Sequence, residues 1–180
     1  MAVISRHTHV RARSAPGQRL TQRLPRWFLR VPELVFTFRL SRLAPSLVMV
    51  TTTGRLSGRP RRVVLDVAGE DGRGLWVLAA DGYQARWVKN LQADPRCRIQ
   101  HRGRRFQARA AVPPPGGPTD DLAAELAVQI YRQRPFYTKL IYLAVGQRIH
   151  GERDVRRLSA GVLPVRLEEV SPLPQRPTET

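Results

Sequence analysis

The sequence predicts an α+β fold, a mostly antiparallel barrel or curled sheet flanked by helices, and three observations point there. At least five short β-patterned runs recur between turn signals, helical periods stand before and after the strands, and most strands are not separated by a helix. A doubly wound parallel sheet needs those intervening helices. The length of 180 residues suits one domain. Residues 1–24 read as a basic arm, 25–170 as the domain and 171–180 as a tail.

Each element follows from its local text. In the arm, Arg6, Arg11, Arg13, Arg19 and Arg23 occur without an acidic residue or an apolar period. From Pro25 onward, Trp27, Val31, Leu34, Val35 and Phe38 fall on one helical face, with Pro32 set to kink or divide the helix. Phe28, Leu29, Phe36, Leu40 and Leu43 lie off that face, which leaves two readings open. The helix is clamped across the domain, or it lies peripherally in a membrane interface with its arginines toward headgroups.

Strands are expected at 47–53 and at 62–68, where Val63, Leu65 and Val67 alternate with Arg62, Val64 and Asp66. A further strand, 75–80, follows the turn "GEDGRG". A brief helix around "RWVKNLQAD" precedes a hairpin of strands 96–101 and 104–112 across Arg102–Gly103. There Phe106, Ala108 and Ala110 take one face, opposite Arg105, Gln107 and Arg109. After "PPPGGP", Thr119 can cap a helix whose Asp120, Asp121 and Glu125 suit its N-terminal end. That helix is interrupted at Pro135 and resumes through Leu140, Ile141, Ala144 and Val145. Residues 163–170 read as a closing strand.

The net charge of +17 comes almost wholly from arginine, since lysine occurs only at Lys89 and Lys139. Such a field attracts nucleic acid, an anionic membrane surface or a phosphorylated cofactor. The basic strands lack interleaved exposed aromatics for base stacking, so a nucleic-acid partner is not expected and a basic nucleic-acid-binding module stands only as the lesser alternative. Cys97 is the only cysteine and reads as a buried strand position, and His7, His9, His101 and His150 lack a second ligand type at metal spacing. No metal is expected. No secretory signal and no run of about 18 apolar residues is present, which leaves a cytoplasmic chain, soluble or peripheral at the inner face of the membrane.

"VTTTGRLSGRPRR" (50–62) joins a strand to a turn bracketed by Gly54 and Gly58 and carrying Arg55, Arg59, Arg61 and Arg62. Small glycines let amides approach an anion, and arginine forks, with Ser57 and a threonine of 51–53 such as Thr52, suit phosphate oxygens. The turn fits neither a Walker loop nor a dinucleotide GxGxxG. A hairpin turn that is merely basic is the competing reading.

"LVMVTTTGRLSGRPRRVVL" followed by "ARWVKNLQADPRCRIQHRGRRFQARA" resembles the deazaflavin-dependent nitroreductase family, over roughly residues 25–146. The resemblance implies a split β-barrel that binds coenzyme F-420, a deazaflavin with a phosphate linker and an oligoglutamate tail. It also implies hydride transfer to nitro compounds, quinones or related small acceptors. Gly54, Arg55, Ser57, Gly58 and Arg61 would then surround the phosphate. Leu65 would lie against the ring, the amides of Ala79, Ala80, Asp81 and Gly82 would approach it, and Trp87 and Asn90 would buttress the pocket. Leu56 stands where relatives often carry a cation, Arg86 where they often have aspartate and Val88 where an aromatic is frequent, so Arg59 or Arg62 would supply the missing charge. Tyr83, Tyr131, Tyr137 and Tyr142 are candidate proton donors, because phenols can donate from apolar surroundings. An FMN- or haem-binding protein on a similar barrel is the nearest rival.

Overall fold

The computed structural model describes residues 45–115, 119–144 and 146–172. The arm, the helix read at 25–43 and most of the tail lie outside the described residues.

The described chain runs β1 (Leu47–Thr53), β2 (Pro60–Asp71), β3 (Gly74–Ala79), a single 3-10 turn (Gly82–Gln84), α1 (Arg86–Ala93), β4 (Arg96–His101) and β5 (Arg104–Ala111). It continues through α2 (Asp120–Gln133), α3 (Pro135–Ala144), α4 (Glu152–Leu158) and β6 (Leu163–Pro172). The strands close a barrel in the order β1-β2-β3-β6-β5-β4, every neighbouring pair antiparallel. The antiparallel barrel flanked by helices is therefore what the chain forms. β6 pairs with both β3 and β5, so closure waits for the last strand and leaves no open edge.

Period-two alternation builds the interior. Val48 and Val50, Leu75 and Val77, Cys97 and Ile99, Phe106 and Ala108, and Val165 and Leu167 all point inward and are buried. Small Cys97, Ala108 and Ala110 leave room for Phe106 in the narrow lumen. Val63, Leu65 and Val67 pack on the same core, while Asp66 projects toward the helices outside. β2 runs longer than its alternation indicates, with a register shift between Val67 and Gly69 where it pairs with β3.

The 102–103 hairpin holds both central residues at positive φ, 47° for Arg102 and 78° for Gly103, the twist a two-residue connection needs. Outside the barrel, α2 starts after Thr119, whose carbonyl accepts the Ala123 amide. The Thr119 side chain makes no capping bond, and the residue sits at φ −106° and ψ −17°, outside the extended backbone range typical of a capping residue. Pro135 opens α3 rather than merely interrupting α2. Helix α4 was not legible in the sequence, since seven residues with only Val155 and Leu158 apolar are too few to display a period. The Val155 side chain is fully buried against α2, and Glu152 bridges Arg132 at 2.7 Å.

Cys97 lies buried in β4 with its thiol 3.5 Å from the Ala108 carbonyl, and burial pushes its pKa up to about 12. Among the described residues, no group of acidic, histidine or cysteine side chains has the arrangement of a metal site, and no helix is long and apolar enough to cross a membrane.

Candidate functional site

The glycine-bracketed turn forms between β1 and β2, and it is tied largely to itself. Gly54 N donates to Arg59 O at 2.9 Å, and Ser57 N and Gly58 N both donate to Gly54 O, at 3.1 and 2.7 Å. Gly58 holds φ +64°, a conformation side chains disfavour. Gly54 is needed for space: a Cβ there would stand 2.9 Å from Ser57 Oγ and 3.1 Å from Arg59 O.

Helix α1 fixes the turn from below. Asn90, 6% exposed, accepts the Arg55 amide at 3.2 Å through Oδ1 and donates from Nδ2 to Thr52 Oγ1 at 3.1 Å. Thr52, itself buried, donates onward to Arg61 O at 3.4 Å. Most of the amides expected to face an anion thus close the turn instead. Of the turn's backbone donors, the Leu56 amide has no bond among the described residues. The remaining donors are guanidinium groups, of which Arg55 Nη1 also donates to Asn90 Oδ1 at 3.5 Å. None of Arg55, Arg59, Arg61, Arg62 or Arg86 is in an ion pair among the described residues, whereas Arg96, Arg102, Arg104, Arg132, Arg134, Arg157 and Arg166 all are.

Two clefts meet at this point. A basic one of about 660 Å³ lies over Thr52, Gly54, Arg55, Leu56, Ser57, Arg61, Arg62 and Asn90. An apolar one of about 560 Å³ runs between the barrel wall and α2–α3, past Leu65, Leu78, Ala79, Ala80, Asp81, Ile130 and Ile141. Val63, Arg86 and Trp87 line both and form the join.

The predicted site residues are therefore divided. Thr52, Gly54, Arg55, Ser57, Arg61 and Asn90 gather in the basic cleft, Leu65, Ala79, Ala80 and Asp81 in the apolar one, and Trp87 at their junction. Gly58 and Gly82 line neither. Both hold positive φ and shape turns, Gly58 in the cradle and Gly82, at +52°, before α1. Of the arginines expected to replace the cation absent at Leu56, Arg62 lines the basic cleft and Arg59 does not. Arg86 joins it there. Leu56 itself is 90% exposed.

Sequence reasoning named Tyr137 as a candidate proton donor but missed the partners that meet it at the apolar cleft, Asp66 and Arg134. Asp66, on the outward face of β2, accepts the Tyr137 hydroxyl at 3.0 Å and lies 3.5 Å from the Arg134 guanidinium. That guanidinium stands 5.7 Å over the Tyr137 ring. Burial raises the Asp66 carboxyl above the ordinary carboxylate range, opposed by the Tyr137 hydrogen bond and by Arg134. Burial also raises the Tyr137 phenol, reinforced by the Asp66 charge. The other candidate phenols differ in place: Tyr83 donates to the carbonyls of Pro113 and Pro114, and Tyr142 is raised by burial beside Ser159.

A model of the family described as F420H(2)-dependent quinone reductase matches residues 8–140. No curated protein matches the chain by sequence. Among solved structures, an F420-H2 dependent reductase (FDR-A) is 20% identical, with 69% of this chain and 94% of that one covered and a TM-score of 0.44. The haem storage protein HutZ from Vibrio cholerae is 16% identical over 78% of this chain and 89% of its own, TM-score 0.44. A putative pyridoxamine 5'-phosphate oxidase from Listeria innocua is 9% identical over 78% and 96%, TM-score 0.49.

Proposed function

The chain belongs to the F420H(2)-dependent quinone reductase family, and from that premise we propose that it is an oxidoreductase that binds coenzyme F-420 and delivers hydride to a quinone, nitro compound or similar small organic acceptor. The observation that carries this reading is the joined pair of clefts, one lined with arginines that have no ion pair among the described residues and the other apolar. A cofactor with an anionic tail and a flat ring system needs both environments side by side.

The residues fit such a group. Guanidinium groups without carboxylate partners among the described residues have no ion pair to give up to a phosphate or glutamate tail, and forked, charge-assisted hydrogen bonds offset their desolvation. Arg55, Arg61, Arg62 and Arg86, with the Leu56 amide, would hold the anionic part. Leu65, Ala79, Ala80 and Trp87 would shelter the ring and exclude water, which favours direct hydride transfer over side reactions. The reduced cofactor supplies the hydride, while the chain supplies position and field. Asn90 acts one step back, holding the Arg55 backbone in place.

Quenching of tryptophan fluorescence by coenzyme F-420, compared with FMN, tests the assignment. Deazaflavin should bind the more tightly. Arg55→Ala and Arg61→Ala should each weaken it by roughly 10- to 100-fold, the loss of one charge-assisted hydrogen bond. Tighter binding of FMN would reassign the clefts to a flavin, and undetectable binding of both would end the reading.

A further inference from the structure

Resting on the reductase reading, we propose that Tyr137 is the proton donor to the acceptor and that Asp66 is the positioning residue that holds and resupplies its proton. Reduction of a quinone or nitro group adds a hydride and a proton, and the cleft must deliver both. The acceptor takes two electrons with the hydride, which forms one new bond on it, and the charge that develops on its oxygen calls for a proton from nearby.

Three features single out this pair. Tyr137 and Asp66 both line the apolar cleft, whose remaining wall is largely aliphatic. Their oxygens stand 3.0 Å apart; with Asp66 ionised Tyr137 donates across that contact, and with Asp66 protonated the acid donates across it instead, which frees the Tyr137 O–H for the acceptor and replaces its proton once it leaves. Arg134, 3.5 Å from Asp66 Oδ1, stabilises the carboxylate that remains. In balance, the Tyr137 O–H bond breaks as the acceptor O–H bond forms, the phenolate takes the proton of the Asp66 carboxylic acid, and the carboxylate is reprotonated by water at the cleft mouth.

Among the described residues, the charged and titratable groups that face Asp66 are Arg134 and Tyr137, while β1 places Leu47 opposite it. Arg86, Asp81 and Tyr142 line the same cleft. Burial keeps a proton on Asp66 to higher pH than an exposed carboxyl would allow, the property a resupplying acid needs.

Two measurements test the pair. In the protein without cofactor, carbon-13 NMR of labelled aspartate should find Asp66 titrating above the ordinary range, and Tyr137→Phe should raise it further by removing a donor to the carboxylate. In turnover with coenzyme F-420 and a soluble quinone, Tyr137→Phe and Asp66→Asn should lower kcat by roughly 100-fold. The affinity for the coenzyme should be unchanged in both, which also reports that they fold. The parent kcat should fall as pH rises through the Asp66 titration, and that limb should vanish in Asp66→Asn. Parent-like rates and pH profiles in both variants, or Asp66 titrating in the ordinary range, would overturn the proposal while leaving coenzyme binding intact. A parent that binds no coenzyme overturns the reductase reading and this proposal with it.

Discussion

Asn90 makes clear how one buried amide can govern a surface turn. Its two ends satisfy the Arg55 amide and the Thr52 hydroxyl at once, so Asn90→Ala leaves the Arg55 amide without its acceptor and the Thr52 hydroxyl with only its bond to Arg61 O. Thermal unfolding should record a loss of about 1–3 kcal/mol, and coenzyme affinity should fall although Asn90 bears no charge. Asn90→Asp keeps the acceptor but not the donor, so it should restore the Arg55 contact only. Cys97 makes the opposite case. With its thiol pushed up to about 12 and buried, it should resist alkylation at neutral pH until the barrel unfolds, as mass spectrometry across a denaturant series would reveal. The spacing of Trp87 and Asn90 placed them on one helix face from the sequence. That Asn90 would reach Arg55 and Thr52 was not legible, because those partners lie 35 and 38 residues away.

Among the elements, the β2–β3 turn separates crowding from permissiveness. A Cβ on Gly74 would fall on the backbone carbonyl of Leu167 in β6, whereas one on Gly72 meets nothing within 4 Å. Gly74→Ala should therefore destabilise by about 1–3 kcal/mol, and Gly72→Ala by less than about 0.5 kcal/mol, a contrast that denaturant unfolding can measure. Helix α3 has an inner face of Tyr137, Thr138, Ile141 and Tyr142 along the apolar cleft, while Phe136, Leu140 and Leu143 remain exposed. Its sequence, apolar on more than one side, announced a helix but not which face would line a cleft. The β elements were more legible, since each strand's own alternation names its inward residues, as with Phe106, Ala108 and Ala110.

For the whole molecule, charge and pH come to the front. Asp71, Asp94, Glu152 and Asp154 are held below the ordinary carboxylate range. The causes are the Arg73 amide beside Asp71, the Arg96 side chain beside Asp94, the Arg132 side chain beside Glu152 and the His150 amide beside Asp154. Their contribution is present above the pKa of the unfolded carboxyls and is lost as pH falls through the lower folded values. Asp66 has the opposite sign: its contribution is full below its unfolded pKa and is lost as pH rises through its raised folded value. Melting temperature followed from pH 6 down through about 4 should decline, and Asp66→Asn should steepen that decline by removing a carboxyl whose protonation favours the folded state. The sequence by itself determined the antiparallel strands, the glycine-bracketed basic turn and the helix carrying Trp87 and Asn90, because local periodicity and turn chemistry depend on neighbours in the chain. Only the tertiary structure decided that the turn's amides would bond to one another, that Arg86 would join its cations, and that Asp66 would meet Tyr137. Those outcomes depend on which distant segments barrel closure and helix packing bring within hydrogen-bond reach, and no local pattern encodes that distance.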